Sequence, residues 1–202
     1  MARAVITMRR SLKLVKGSQC NMNYHIIRTD DMLNGSGLRV VIFTSGCSHH
    51  CEGCHNPETW DENSGKEFNS EAMSEIIKEL DKDYISGITL SGGDPLYYNN
   101  VSDVLKLVSE IKLSHPEKTI WLYTGMTWEQ IFRPAVLDIF DPKRDLMFSM
   151  RKEIVKMCDV LVDGRFVQSL ADVNCPWVGS TNQRVIDVNK TIASGEIVLY
   201  NN

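Results

Sequence analysis

Short apolar runs alternate along this sequence with longer segments in which apolar residues recur at helical spacing. The runs at 39–44, 87–90 and 119–123 are short enough to predict buried strands. The segments 70–82 and 101–113 carry apolar residues at the spacing of one helix face, and Ser70 is the N-cap candidate of the first. The pattern therefore predicts strand and helix in alternation.

The second half of the chain continues this alternation. Helices are predicted over 128–140 and 145–158, separated by Asp141-Pro142, and strands over 160–162, 184–188 and 197–200. Alternating strands and helices are typical of right-handed parallel βαβ units. We therefore predict an α/β fold with a mostly parallel sheet, in which functional residues follow the carboxyl ends of the strands.

The domain organisation follows from length and from an uneven charge distribution. With 202 residues and 43% hydrophobic content, the chain suits one domain with a sizeable core. The first 21 residues contain five basic residues and no acidic one. This composition also suits a transit peptide, but we favour a disordered basic extension over 1–21, followed by one domain over 22–202.

Charge and cysteine usage narrow the class of protein further. A formal net charge of -4 gives no basic footprint for nucleic acid, and the longest apolar runs are too short to span a bilayer. The six cysteines are unevenly spaced and no secretion signal precedes them. We therefore predict a cytoplasmic protein with neither a nucleic-acid nor a membrane partner, whose clustered cysteines bind metal.

The clustered cysteines are Cys47, Cys51 and Cys54, directly after the first predicted strand. Three thiolates in one tight loop can surround a compact iron–sulfur cluster, and a cubane that lacks a fourth cysteine has one iron open to a small molecule. The alternative is a zinc site on Cys51 and Cys54, completed by Cys47 or a nearby histidine. The spacing favours the cluster, because Cys158 and Cys175 form no second C-x2-C pair.

Two neighbouring features do not indicate a binding site when each is taken alone. His49, His50 and His55 are interpreted as imidazoles that solvate a polar loop rather than as cluster-tuning or proton-carrying groups. The sequence Gly92-Gly93-Asp94-Pro95 is as typical of an ordinary turn as of a binding site.

The combination of motifs is more specific than its parts. The Cys-x3-Cys-x2-Cys spacing after one strand, with Ser91 to Pro95 after the next, is similar to the radical S-adenosylmethionine superfamily. Five further segments make the chain from Met22 onward resemble the activases of class III anaerobic ribonucleotide reductases: residues 22–25, 34–37, 56–60, 162–167 and 179–184.

This resemblance implies a fold, cofactors and site residues. The fold would be an incomplete (β/α) radical S-adenosylmethionine barrel. Cys47, Cys51 and Cys54 would hold a catalytic [4Fe-4S] cluster, whose open iron binds the methionine moiety of S-adenosylmethionine. The implied cofactor contacts are Ser91, Gly92, Gly93, Asp94, Thr124, Asp163 and Arg165.

Some of these contacts have a specified chemistry. The Gly92-Gly93 turn would offer carbonyls to the cofactor's ammonium group, and Asp94 a charge-assisted hydrogen bond. Asp94 departs from the wider superfamily, where glutamate is common, but fits the activase branch. Thr124 and Asp163 would contact ribose and carboxylate, and Arg165 would pair with the carboxylate, unless these residues form an exposed turn with a solvated salt bridge.

The implied reaction begins with one electron from a flavodoxin-like donor. S-adenosylmethionine is cleaved to methionine and a 5'-deoxyadenosyl radical, which removes a hydrogen atom from a backbone glycine in the catalytic subunit of anaerobic ribonucleotide reductase. Two alternatives remain open: a radical enzyme with another target, either a glycyl-radical enzyme or a small molecule, and a zinc-binding interaction module without catalysis.

Overall fold

The computed structural model describes residues 21–132 and 141–201. The predicted extension over 1–21 lies outside the described residues except for Asn21, as does the 133–140 part of the predicted helix over 128–140. The strands are β1 (Asn23–Asp31), β2 (Arg39–Thr44), β3 (Lys66–Glu67), β4 (Gly87–Gly92), β5 (Thr119–Tyr123), β6 (Val160–Asp163) and β7 (Arg184–Asp187). The helices are α1 (Ser70–Leu80), α2 (Val101–Ser114), α3 (Trp128–Phe132), α4 (Pro142–Met157) and α5 (Val188–Ser194).

The strands that the structure describes form one sheet in the order β3-β1-β2-β4-β5-β6-β7. The central neighbours from β2 to β6 are parallel, whereas β1 pairs antiparallel with β2 and with β3, and β7 pairs antiparallel with β6. The α/β class with a mostly parallel sheet is thus confirmed for the centre. The expectation of parallel units fails at the edges, because β6 and β7 are joined without an intervening α-helix.

Several local predictions are corrected by the structure. Helix α1 is capped by Asn69 rather than Ser70, since the Asn69 side chain accepts from the amides of Glu71 and Ala72. Helix α4 begins at Pro142 instead of residue 145, because proline suits the first helical position and Asp141 provides the cap. The strand predicted over 197–200 is reduced to a bridge beside β7.

The two faces of the sheet have different surroundings. Alternate residues such as Val40, Ile42 and Leu90 enter the main core, to which α1, α2 and α4 contribute apolar side chains. The opposite face carries a smaller cluster around Trp121 and Val162, together with polar residues of the central strands. The second face is therefore the one on which a polar ligand can be held.

The floor of this second face is formed by Arg39 at the start of β2, which is fully buried. All five donor hydrogens of its guanidinium are used: they go to the hydroxyls of Thr89 and Thr119 and to the carbonyls of Ser36, Ile88 and Thr119. Burial lowers the Arg39 pKa to about 10. One cation thereby joins β2, β4 and β5 at their amino ends.

We predict that Arg39→Ala destabilises the metal-free chain by about 2–4 kcal/mol, because it leaves buried carbonyls without donors and opens a cavity. Urea unfolding measures the change. Arg28→Ala is the matched control: Arg28 is about half exposed and pairs with Asp31 at 3.7 Å, so its loss should cost under about 1 kcal/mol. Equal effects of the two substitutions would contradict this role of Arg39.

Candidate functional site

The cysteine motif follows β2 and lines a cleft of about 330 Å³. Cys47, Cys51 and Cys54 are free thiols, each partly exposed. Ser91, Gly92, Gly93 and Thr124, at or just beyond the carboxyl ends of β4 and β5, line the same cleft. The structure thus brings these predicted site residues together at one end of the parallel strands.

Backbone hydrogen bonds join the start of the cysteine loop to its surroundings. The amide of Gly46 donates to the Thr59 carbonyl at 2.8 Å, and the amide of Cys47 donates to the Trp60 carbonyl at 3.1 Å. The Gly46 carbonyl accepts from the amide of Asp94 at 2.8 Å. The first cysteine is therefore held in a fixed relation to the glycine turn after β4.

The glycine turn requires its two glycines for steric reasons. Gly92 has φ +102°, and a Cβ on it would lie 2.4 Å from the Thr44 nitrogen. A Cβ on Gly93 would lie 2.6 Å from the Gly46 carbonyl oxygen. Because both contacts are to backbone, a side chain at position 92 would push the turn away from the end of β2, and one at position 93 would push it away from the cysteine loop.

Asp94 is buried and its carboxylate binds three groups. Oδ1 accepts from the Leu96 amide at 2.8 Å and from the Thr124 hydroxyl at 2.9 Å, and Oδ2 lies 2.7 Å from Nε2 of His49. The interpretation of His49 as a solvating group is therefore wrong, since its side chain is only 11% exposed. His50 is exposed and its ring packs against Trp60, while the ring of His55 packs against Phe166.

Asp163 and Arg165 lie beside the cleft rather than among the residues that line it. The buried Asp163 carboxylate accepts from Nε of Arg184 at 3.0 Å and from the Trp128 amide at 2.7 Å. Arg165 is exposed and lines neighbouring cavities. A salt bridge does form here, but its cation is Arg184 rather than Arg165, and the Asp163 carboxylate is buried rather than solvated. The contacts of Asp163 connect β6 with β7 and with the start of α3.

Sequence reasoning missed two polar groups at the cleft. The hydroxyl of Tyr123 and Nδ1 of His49 are buried without a hydrogen-bond partner among the described residues, and both side chains line the cleft. Burial raises the pKa of Tyr123, so its hydroxyl stays protonated and can donate. Tyr123 could have been found from the sequence, because it is the last residue of the predicted strand 119–123 and functional residues were expected at the carboxyl ends of the strands.

Burial favours the protonated form of two thiols at the cleft, those of Cys47 and Cys51. Burial raises the Cys47 pKa to about 11 and also raises the pKa of Cys51. A thiol binds metal as the thiolate, so metal binding at these two thiols would release protons. Elsewhere, burial raises the pKa of Cys158, whose Sγ contacts the Ile154 carbonyl within the core.

Two features are absent from the part of the chain that the structure describes. In that part of the chain, no three His, Cys, Asp or Glu side chains converge as the ligands of a single metal ion would. No helix described by the structure is long and apolar enough to cross a membrane.

Comparisons with known proteins define the class of this site. A family model described as a 4Fe-4S single cluster domain matches residues 33–186, which include the three cysteines and the glycine turn. The chain therefore contains a 4Fe-4S single cluster domain.

Curated relatives match most of the chain under one description, anaerobic ribonucleoside-triphosphate reductase-activating protein. The relative from Escherichia coli K12 is 42% identical over 166 residues, which cover 81% of this chain and 97% of that protein. The one from Enterobacteria phage T4 is 40% identical and covers 81% and 93%, and the one from Vibrio cholerae is 41% identical and covers 80% and 96%. This chain belongs to the family of anaerobic ribonucleoside-triphosphate reductase-activating proteins.

Arg184 forms a second salt bridge, to the Glu129 carboxylate at 2.9 Å, and this pair gives a pH-dependent prediction. Hydrogen bonds from Arg184 lower the Glu129 pKa to about 2, below its ordinary value of about 4.3. A lowered pKa stabilises the fold above pH about 4.3, and this contribution is lost as the pH falls towards 2.

Glu129→Gln should therefore lower the free energy of unfolding near pH 6, by under about 1 kcal/mol because the pair is partly exposed. The difference from the unsubstituted chain should shrink as the pH falls below about 4. Urea unfolding at a series of pH values measures it. Glu153→Gln, which removes an exposed pair with Lys156, is the control. A difference that grows towards acid pH would contradict the assignment.

Proposed function

We propose that this protein is a radical S-adenosylmethionine activase that generates a glycyl radical on anaerobic ribonucleotide reductase. The observation that carries the proposal is the shared cleft, in which three free thiols face the glycine turn after β4. The description of its relatives as activating proteins supports the same target. The open sheet that the structure describes is consistent with an incomplete (β/α) barrel.

The residues present fit a [4Fe-4S] cluster. Cys47, Cys51 and Cys54 supply three thiolates from one loop, and Cys158 lies in the core away from them. A cubane normally takes four cysteines, so three would leave one iron without a cysteine ligand. That iron would be the binding point for the cofactor.

The zinc alternative is less well supported by the arrangement of the thiols. Four ligands around zinc, with Zn–S distances of about 2.3 Å, must converge on one point. The described residues contain no such convergent group. Cysteines that bind different irons of a cubane need not converge in this way, and the family model is that of a 4Fe-4S domain.

The cleft as a whole suits a small polar cofactor such as S-adenosylmethionine in its chemistry. Its volume of about 330 Å³ lies within the range of small-molecule sites, and it combines the polar groups of the glycine turn and Thr124 with aromatic walls. The unpaired hydroxyl of Tyr123 is available as a donor. We propose Ser91, Gly92, Gly93 and Thr124 as direct contacts. Asp94 does not line the cleft, so we propose that it supports the glycine turn instead of contacting the cofactor, and that Asp163 and Arg165 shape the cleft from outside.

The cofactors would supply one-electron cleavage of the carbon–sulfur bond of S-adenosylmethionine, giving methionine and a 5'-deoxyadenosyl radical that takes a hydrogen atom from the partner's glycine. The electron comes from outside the protein, and we propose a flavodoxin-like donor in the cytoplasm. The chain's own residues hold the thiolates, orient the methionine moiety against the glycine turn and exclude water by means of Trp60, Phe166 and Trp177.

The cysteine assignment predicts that Cys47→Ala, Cys51→Ala and Cys54→Ala each lose the cluster's visible absorbance and most of the bound iron and sulfide after anaerobic reconstitution, because each removes a ligand. Cys158→Ala and Cys20→Ala are the matched controls and should keep both. A colourless unsubstituted protein that contains zinc without iron would support the interaction module instead.

The activity is tested by anaerobic incubation of the reconstituted protein with a reductant and S-adenosylmethionine, with and without the reductase. We expect 5'-deoxyadenosine in the assay and a glycyl radical signal in the electron paramagnetic resonance (EPR) spectrum of the reductase. Cleavage of S-adenosylmethionine without a radical on the reductase would support the proposed cleavage reaction but would show that the reductase is not the target. Absence of cleavage by a fully loaded protein would reject the proposed function.

A further inference from the structure

We infer that His49 is a positioning residue, which locks the loop carrying the cluster cysteines onto the glycine turn through the Asp94 carboxylate. This inference rests on the proposed function and adds to it a residue whose role would be to set the geometry between cluster and cofactor. His49 lies between Cys47 and Cys51 in sequence. A contact that fixes His49 therefore restrains the backbone between two of the three cysteines.

The His49 ring occupies a slot that is shaped for it. A Cβ added to Gly125, just beyond β5, would lie 2.3 Å from Cδ2 and 2.6 Å from Nε2 of His49. Real Cβ atoms do not approach other atoms so closely, so alanine at 125 would displace the ring. The backbone of Gly125 is not in the left-handed region. The three atoms nearest to such a Cβ all belong to the His49 ring, so the steric cost of alanine there comes first from His49.

The polar end of the ring is fixed by Asp94. A carboxylate only accepts hydrogen bonds, so Nε2 carries the hydrogen of the 2.7 Å contact with Oδ2. The other oxygen of Asp94 is held by the Leu96 amide and the Thr124 hydroxyl, which prevents the carboxylate from following a displaced loop. The lock thus connects the cysteine loop with the turn after β4 and the end of β5.

The cost of this arrangement is visible at the other nitrogen. Nδ1 of His49 is buried and has no hydrogen-bond partner among the described residues. Burying an unpaired polar atom is unfavourable, and such groups in folded proteins call for an explanation beyond packing. The neighbouring His50 differs in these features: its side chain is exposed and its ring packs against Trp60.

The first experiment compares His49→Ala with His50→Ala in the full, anaerobically reconstituted protein. Both variants should retain iron and sulfide, because all three cysteines remain. His49→Ala should raise the KM for S-adenosylmethionine about 10- to 100-fold, with a smaller change in kcat, and should weaken the change that the cofactor causes in the EPR spectrum of the reduced cluster. His50→Ala should match the unsubstituted protein, and His49→Gln, which restores a donor, should recover part of the loss.

The second experiment is a double-mutant cycle on the melting temperature of the metal-free chain. Gly125→Ala alone should destabilise by displacing the ring, and His49→Ala alone by leaving a void. Together the added methyl group enters the void, so the double variant should melt about 3 °C or more above the value expected from additivity.

The outcomes separate this inference from the proposed function. If the unsubstituted protein does not cleave S-adenosylmethionine, the proposed function fails, while a non-additive melting cycle would still support the lock. An additive cycle would overturn the lock. A non-additive cycle combined with an unchanged KM and spectrum in His49→Ala would overturn the positioning role, because the contact would then serve only stability.

Discussion

The buried carboxylate of Asp94 is the interaction on which the arrangement of the site depends. It joins three segments that are distant in sequence, through His49 of the cysteine loop, Leu96 of the turn after β4 and Thr124 beyond β5. Backbone bonds at Gly46 reinforce the same junction. A buried carboxylate is unfavourable unless its lone pairs accept hydrogen bonds. The donors on the three segments are therefore needed together, and the loss of one weakens the arrangement of the other two.

The sheet provides the frame for this junction. Its central strands are parallel, so their carboxyl ends meet at one edge, and the cysteine loop, the glycine turn and Thr124 all follow from that edge. At the opposite end the Arg39 guanidinium joins the same strands by hydrogen bonds to Thr89 and to backbone carbonyls. The cleft face is thus polar at both ends, while the other face packs against helices.

The sequence was informative where a periodic pattern or a dense motif was present. It predicted the central strands, the grouping of Cys47 with Gly92 and Thr124, and the 4Fe-4S class of the site. It did not predict β1, whose alternating polar residues form no apolar run, or the role of His49, whose partner lies 45 residues away. Asp163 was assigned to the cofactor, but its partner Arg184 becomes a neighbour only when β7 pairs with β6.

The most direct test of the proposed site is Mössbauer spectroscopy of the protein reconstituted with iron-57, recorded with and without S-adenosylmethionine. Three cysteine ligands predict that one iron in four differs from the rest, and that the cofactor changes the isomer shift of this iron alone. A spectrum in which all four irons are equivalent and unaffected by the cofactor would contradict the proposal that Cys47, Cys51 and Cys54 leave one iron open to the glycine turn.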